Sequence, residues 1–186
     1  MYLHQDAYDT QGIVIADLSN LLISKKQANC IFQVLLQQFC SKEWNGDKPV
    51  HRKLVVFDEA HKYISNDGDG LAHEMLKVVR TMPHTGMRIV VSTQSPAELP
   101  HEMLALLSVM VVHRCNSHRV LHLLQQELGL SSADSALVPR LMPGQAMVYA
   151  GLADIKGNGE RYCGPWYNVN VRRRLTRDGG VSVRHM

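Results

Sequence analysis

The chain has 186 residues, a net charge of +3 and a pI near 8.7, with 45% hydrophobic and 20% charged residues. This length suits one domain with a buried core, and the composition is that of an ordinary globular protein. Because no run of about 18 apolar residues and no secretory leader pattern occurs, we expect neither a membrane span nor export. Cys30, Cys40, Cys115 and Cys163 lack CxxC spacing, which favours reduced thiols in an intracellular protein, cytoplasmic or nuclear.

Short apolar runs alternate with segments of helical periodicity along the chain. In chain order we predict a strand at 12–19, a helix at 24–40, a strand at 53–59, a helix at 71–82, a strand at 88–94, a short helix at 101–107, a strand at 108–114, a helix at 117–130, a strand at 145–150 and an edge strand at 166–172. Ser24 is placed to cap the first helix, and Pro83 is expected to stop the second.

The alternation predicts an α/β fold with three layers, in which helices cover both faces of a mostly parallel sheet. We expect a single domain over residues 1–186. Its core would span about 11–150, and 151–186 would form a basic segment with an edge strand.

Polar side chains follow two of the predicted strands. Asp58 and Glu59 end the run "KLVVFDE", and the triplet 92–94, Ser-Thr-Gln, ends "RIVVSTQ". Ligands of parallel sheets bind at the carboxyl ends of the strands, so these residues are candidates for a site. The same acids could instead cap the following helix, a contribution of about 0.3–1 kcal/mol.

Four apolar residues followed by Asp-Glu are typical of a Walker B strand. One carboxylate of such a pair positions Mg²⁺, and its neighbour orients the attacking water. We therefore expect Asp58 on the metal side and Glu59 on the water side. Gln94 is suited to sense a γ-phosphate because its amide both donates and accepts hydrogen bonds.

A wider set of motifs resembles the C-terminal half of HerA/FtsK-type P-loop ATPases, from about residue 11 to 180. The motifs, in order, are "GIVIADLS", "KLVVFDEAHKYI", "VVRTMPHTGMRIVVSTQSP", "SVMVVHR", "MPGQAMVYA" and "VRRRLTRDGG". The resemblance implies a motor that moves DNA in a homo-hexameric ring, with ATP and Mg²⁺ as cofactors. It also implies Asp58 and Glu59 as the Walker B pair, Gln94 after the sensor strand, and Arg114 as a contact to phosphate or to an acid such as Asp58.

The chain departs from the family pattern in two places. The phosphate-binding loop GxxxxGK[ST] does not occur in the sequence, and Pro83 stands where the family commonly has an arginine finger, with Arg80 and Arg88 nearby. The resemblance also implies that the P-loop strand belongs between 88–93 and 108–113, so we expect a gap or two unpaired edges there.

These departures leave three hypotheses open. Under the first two, we expect the chain alone not to hydrolyse ATP, and we assign no cofactor to the chain alone. The chain is a fragment or degenerate member of a HerA-like ATP-dependent DNA translocase or helicase. Alternatively, it is a non-catalytic module that pairs with a P-loop-bearing ATPase partner. A third hypothesis is an unrelated hydrolase whose acids bind metal without nucleotide.

Two further groups of residues have a functional and a structural interpretation. His118 and His122 lie at i, i+4 spacing near His113 and Cys115, but the sequence places no third metal ligand, so a structural role is favoured. The basic tail could contact a DNA backbone or form a charged edge strand; its arginines are Arg172, Arg173, Arg174, Arg177 and Arg184.

Overall fold

The computed structural model describes residues 13–18, 22–41, 53–64, 70–151, 156–157, 160–161, 165–172 and 175. The chain divides into two compact units, the first from Met1 to Leu106 and the second from Leu107 to Met186. The single domain expected over 1–186 stays a prediction. Among the described residues, no helix has both the length and the apolar character needed to cross a bilayer.

In its described residues, the first unit contains a pair of parallel strands and three helices. Its elements are α1 (Lys25–Ser41), β1 (Leu54–Phe57), a 3-10 turn (Ala60–Lys62), α2 (Gly70–Thr85), β2 (Arg88–Val91), a second 3-10 turn (Pro96–Glu98) and α3 (His101–Ala105). Strands β1 and β2 pair in register, with Leu54 opposite Arg88 and Phe57 opposite Val91. The predicted helix at 24–40 and the two predicted strands are therefore confirmed within a few residues.

Local sequence explains how the first two helices begin and end. Ser24 and Gln27 form a reciprocal cap at the start of α1, in which each side chain accepts a hydrogen bond from the other residue's backbone N–H. The predicted stop of α2 at Pro83 is wrong, because the helix continues to Thr85. A proline removes one helical hydrogen bond, whereas the left-handed Gly86 (φ 66°) ends the helix and donates to the Met82 carbonyl at 3.1 Å.

Only one face of the β1–β2 pair is covered by the described residues of the first unit. Phe57 is buried in a core with residues of α1 and α2, and Val55, Ile89 and Val91 pack against that core. The opposite face carries Leu54, Val56 and Val90, which are 58%, 59% and 49% exposed. Apart from Arg88 on the exposed face, the side chains of both strands are apolar, but only one face has a partner among the described residues.

The strand predicted at 12–19 is not observed. Residues 13–18 have no regular structure, and Ile13 and Ile15 are 92% and 83% exposed. An apolar run becomes a strand only when a neighbouring strand pairs with its backbone N–H and C=O groups. No strand of the described residues pairs with 13–18.

The second unit is built on antiparallel strands. Its elements are β3 (Val109–Val112), α4 (His118–Leu128), α5 (Ser132–Leu137), a 3-10 turn (Val138–Arg140), β4 (Gln145–Ala150), β5 (Lys156–Gly157), β6 (Glu160–Arg161) and β7 (Trp166–Asn170). The order is β3-β4-β7, with both pairings antiparallel, and β5 and β6 form a separate antiparallel pair. The predicted 166–172 strand is present as β7, which pairs only with β4 among the described strands, and its edge position stays a prediction.

The expected mostly parallel sheet differs from the described pairings, in which only β1 and β2 run parallel. The prediction was drawn from strands that are apolar on both faces, and this pattern does not fix strand direction. In β4, Ala146 and Met147 point to opposite faces and are both buried, although both neighbours are antiparallel. The α/β class itself is confirmed.

Strand β3 has the same one-sided burial as β1 and β2. Val112 lies in a core built around α4, and Met110 packs against it, whereas Val109 and Val111 are 56% and 53% exposed. Helix α4 is capped by Ser117 and ends at Gly129 in the left-handed conformation, φ 63°. Strand β3 pairs with β4 and with no other described strand.

Candidate functional site

The carboxyl ends of β1 and β2 meet at one edge of the first unit. Two backbone hydrogen bonds continue the pairing beyond the strands: Ser92 N–H donates to the Phe57 carbonyl at 2.8 Å, and Ala60 N–H donates to the Ser92 carbonyl at 2.9 Å. The acids after β1 and the polar triplet after β2 therefore lie side by side, as the sequence predicts.

Glu59 sits where the chain turns out of the strand. Its backbone is left-handed (φ 51°, ψ 42°), and it is the only non-glycine residue with positive φ in the described part of the chain. Such a conformation costs on the order of 1–3 kcal/mol and persists only where surrounding contacts hold it. Here the Glu59 N–H donates to Asp58 Oδ1 at 3.0 Å, and the Glu59 carbonyl accepts from Lys62 N–H at 2.9 Å.

The Glu59 carboxylate is surrounded by donors. Gln94 Nε2 lies 3.1 Å from both carboxylate oxygens, and Oε2 also lies 3.5 Å from Lys62 Nζ and 3.6 Å from His61 Nε2. The side chain is 30% exposed, so water still reaches it. The arrangement orients a carboxylate at the strand tip and leaves it accessible to a water molecule.

Asp58, by contrast, is exposed to solvent. The described residues contain no group of three or more His, Cys, Asp or Glu that could hold a metal ion by itself. A single exposed carboxylate fits Mg²⁺, which is commonly bound by one or two carboxylates together with waters and substrate phosphates. The donor set thus suits a metal that arrives with a nucleotide.

Helix α1 fixes the turn that carries the acids. Asn29 is buried, donates through Nδ2 to the Tyr63 carbonyl at 2.9 Å and accepts the Leu71 N–H at 3.4 Å. Lys25 Nζ donates to the His61 carbonyl at 3.1 Å. Because these bonds join α1 to both the turn and the start of α2, the acids are held by the folded unit.

Tyr63 stabilises the turn through its ring and its hydroxyl group. Its ring packs against Phe32 and Phe57, with centroids 4.6 and 6.4 Å away, and its hydroxyl donates to the Asp58 carbonyl at 2.8 Å. Burial, together with the negative charges of Asp58 and Glu59, raises the pKa of Tyr63 to about 12. The phenol is therefore a neutral donor at physiological pH.

Replacing Tyr63 with phenylalanine should lower the free energy of unfolding by about 0.5–1.5 kcal/mol near pH 8, since one partly buried hydrogen bond is lost. The folded-state pKa lies above the ordinary value of 10, so the tyrosine's contribution is complete below pH 10 and is lost as pH rises towards 12. Urea unfolding of both proteins at pH 8 and pH 11 measures this. A difference that grows at pH 11 would contradict the assigned environment of the hydroxyl.

The other predicted site residue, Arg114, lies in the second unit, two residues after β3, and is exposed. Its proposed contact with phosphate or with an acid stays a prediction. The two arginines near the usual finger position have partners in the first unit: Arg80 Nη2 lies 2.6 Å from Glu102 Oε2, and Arg88 Nη1 donates to the Met87 carbonyl at 2.7 Å.

The histidines singled out in the sequence do not form a metal cluster in the described part of the chain. His118 and His122 are exposed on α4, and His113 Nδ1 lies 3.3 Å from the Gln145 carbonyl oxygen. Of the tail arginines, Arg172 is described and exposed. The others fall outside the described residues, as does Cys163.

Sequence reasoning did not identify His61, Lys62 and Tyr63 as part of the site. All three contact the acids directly, through side-chain groups at 3.6, 3.5 and 2.8 Å. Their signal was their position in "DEAHKY", immediately after the acidic pair, where a turn would bring them back towards it.

Residues 9–120, more than half of the chain, match the helicase HerA-like C-terminal family, and the chain belongs to that family. No curated protein matches the chain.

The solved structures most like this chain include the genome-packaging NTPase B204 of Sulfolobus turreted icosahedral virus 2 in complex with ATP-γS. That structure has a TM-score of 0.57 and 18% identity, and the match covers 78% of this chain and 64% of that one. The DNA-packaging ATPase B204 of Sulfolobus turreted icosahedral virus gives a TM-score of 0.59 at 15% identity, over 80% of this chain and 66% of that one.

At these identities the likeness concerns the fold. The chain spans slightly less than two thirds of the length of these packaging ATPases. A further B204 structure contains AMPPCP, so two of the similar structures hold ATP analogues. The chain is thus HerA-like, and its fold resembles that of these packaging ATPases.

Proposed function

We propose that this chain is the Walker B and sensor part of a HerA-like ATPase that moves DNA. The observation that carries the proposal is the contact between Gln94 and Glu59, at 3.1 Å, across the carboxyl ends of the parallel strands β1 and β2. A motor of this kind needs a carboxylate and a polar sensor at the same edge of the sheet.

In this proposal each residue has a distinct task. Asp58 holds Mg²⁺ through water, and Glu59 orients the water that attacks the γ-phosphate of ATP. Gln94 contacts the γ-phosphate from the tip of β2, and a contact of Arg114 with phosphate stays a prediction from the sequence. The half-buried position of Glu59 and the exposure of Asp58 support this division, because the metal-side acid needs open space for a hydrated ion.

The phosphate-binding loop would come from a segment outside these 186 residues. The sequence contains no GxxxxGK[ST] motif, so no lysine is placed to bind the β- and γ-phosphates. Two observations support this part of the proposal. Strands β1, β2 and β3 carry exposed apolar side chains, and β2 and β3 each pair with a single described strand. A loop-bearing strand with its helix would pair beside β2 and cover the exposed face of β1 and β2.

DNA translocation within a homo-hexameric ring is the activity that fits the family best. Membership in a helicase family and likeness to DNA-packaging ATPases support it, and the basic residues of the 151–186 segment suit a phosphate backbone. An intracellular location, cytoplasmic or nuclear, follows from that activity.

The second candidate is a non-catalytic module that pairs with a P-loop-bearing ATPase partner. The uncovered strand faces favour it equally, because a separate polypeptide could cover them. The two candidates differ in where the loop is encoded. Sequencing the DNA immediately upstream of the Met1 codon tests this: an in-frame GxxxxGK[ST] motif supports the first candidate. Stoichiometric co-purification with a protein that contains the motif supports the second.

Metal binding without nucleotide tests the remaining hypothesis of an unrelated hydrolase. Titration of the purified chain with Mn²⁺ in the absence of ATP should give no saturable site at micromolar concentration, because Asp58 alone is a weak ligand. Tight binding that is lost in Asp58→Asn would overturn the nucleotide-dependent site proposed here.

A further inference from the structure

The imidazole of His61 joins the two halves of the candidate site. Its Nδ1 lies 3.4 Å from the backbone nitrogen of Gln94 and 3.4 Å from Thr93 Oγ1, and its Nε2 lies 3.6 Å from Glu59 Oε2. The ring therefore contacts the tip of β2 through one nitrogen and the carboxylate after β1 through the other.

These contacts define the tautomer. The Gln94 N–H can only donate, and the Thr93 hydroxyl can donate as well, so Nδ1 is the acceptor and carries no proton. In the neutral ring the proton is then on Nε2, the nitrogen that faces the Glu59 carboxylate. Because Nδ1 accepts at the tip of β2, the Nε2–H donor of the neutral ring is directed towards Glu59.

The backbone of the turn does not depend on this ring. Hydrogen bonds from Lys62 N–H to the Glu59 carbonyl and from Tyr63 and Ile64 N–H to the Ala60 carbonyl form the turn. Lys25 binds the carbonyl of His61, not its side chain. The side-chain contacts of His61 go to the functional edge: Glu59, Thr93 and Gln94.

We propose that His61 is a positioning residue, which accepts the Gln94 N–H at Nδ1 and directs Nε2–H towards Glu59 Oε2, 3.6 Å away, where it attracts the carboxylate electrostatically and keeps it against Gln94. The orientation of the carboxylate thereby depends on the position of the β2 tip. This inference rests on the proposed function for its catalytic consequence, but the geometry can be tested without any ATPase activity.

The geometric test is NMR on the purified 186-residue chain. Imidazole nitrogen shifts of His61 at a pH where the ring is neutral should show one fixed tautomer, with the proton on Nε2. Rapid averaging between tautomers, or a proton on Nδ1, would overturn the proposal. This measurement needs no variant, so it is unaffected by any failure to fold.

Two variants separate the two contacts. In His61→Asn the amide oxygen can replace Nδ1 as acceptor, and in His61→Gln the amide nitrogen can replace Nε2–H as donor. Solvent exchange of the Gln94 amide should therefore be about 3- to 10-fold faster in His61→Gln and nearly unchanged in His61→Asn. His73→Asn, an exposed histidine on α2, is the control. Equal exchange rates in both His61 variants would contradict the assigned acceptor.

The catalytic test uses the assembly that includes the phosphate loop. His61→Asn should lower kcat about 10- to 100-fold with KM for ATP unchanged, and His61→Gln should restore most of the rate. A purely structural role would affect both variants alike, and that result would overturn the positioning role. If the wild-type assembly shows no turnover, the proposed function fails, and the tautomer and exchange data decide on His61 independently.

Discussion

Replacing Glu59 with glutamine should abolish ATP turnover in the assembly that contains the phosphate loop, with a loss of about 10²–10⁴-fold. Glutamine keeps the size of the side chain and one of the two oxygens that accept from Gln94, but it removes the negative charge that orients and polarises the attacking water. Nucleotide binding should be retained, because Glu59 lies on the water side of the pair. Phosphate release and the binding of a fluorescent ATP analogue, measured on the same preparation, test both statements.

The matched control for this substitution is Glu98→Gln. Glu98 is exposed, belongs to the 3-10 turn Pro96–Glu98 after β2, and lies in the same unit. The assembly that carries Glu98→Gln should turn over ATP at the wild-type rate. Retention of more than a tenth of the activity in Glu59→Gln would remove Glu59 from the catalytic role and would leave Asp58 as the only acid with an assigned function.

Introducing a lysine at Val56 should prevent the chain from associating with the loop-bearing segment. Val56 is 59% exposed at the centre of the uncovered β1–β2 face, flanked by Leu54 and Val90. Lysine is tolerated on an exposed strand, so stability of the isolated chain should change by about 0.5 kcal/mol or less. Burial of an unpaired ammonium against a covering segment should weaken association about 10- to 100-fold, even when its stem extends towards water.

Val34→Lys provides a comparison at similar exposure. Val34 is 51% exposed on α1, in the same unit but on a different element. Association measured by calorimetry or by co-purification yield should be lost for the Val56 variant and kept for the Val34 variant. Equal affinity of the two variants would show that the β1–β2 face is not the surface that the missing segment covers.

The core of the site could be predicted from sequence because it depends on two local patterns and one rule. Apolar runs ending in Asp58-Glu59 and in the 92–94 triplet predicted two buried strands with polar tips. Parallel pairing then placed both tips at one edge, and the structure has β1 and β2 in that pairing. Each step rests on residues that are close in sequence, which is where pattern reasoning is strongest.

Whether a segment forms a strand, and whether that strand pairs parallel or antiparallel, depends on neighbouring strands that are distant in sequence. Strand β4 is buried on both faces although it lies in an antiparallel sheet, so its apolar pattern pointed to the wrong direction. Residues 13–18 have the composition of a strand, yet no described strand pairs with them. The end of α2 was misjudged because Pro83 is a weaker stop signal than the left-handed Gly86.

The contacts of His61 and Tyr63 were missed for a different reason. Both lie shortly after the acidic pair, beyond Ala60, but the sequence did not reveal that Glu59 takes up a left-handed conformation. That conformation begins the 3-10 turn Ala60–Lys62, which brings the imidazole and the phenol back to the acids. A turn that depends on the backbone conformation of a single residue produces no periodic pattern in the sequence.

Phosphate release from ATP and Mg²⁺ by the purified chain is the most direct test of whether its acids and sensor work only with a phosphate loop supplied from elsewhere. We expect no release above background from the 186 residues alone. Release should appear when the loop-bearing polypeptide is added and should require Glu59. Turnover by the chain alone that disappears in Glu59→Gln would contradict the account.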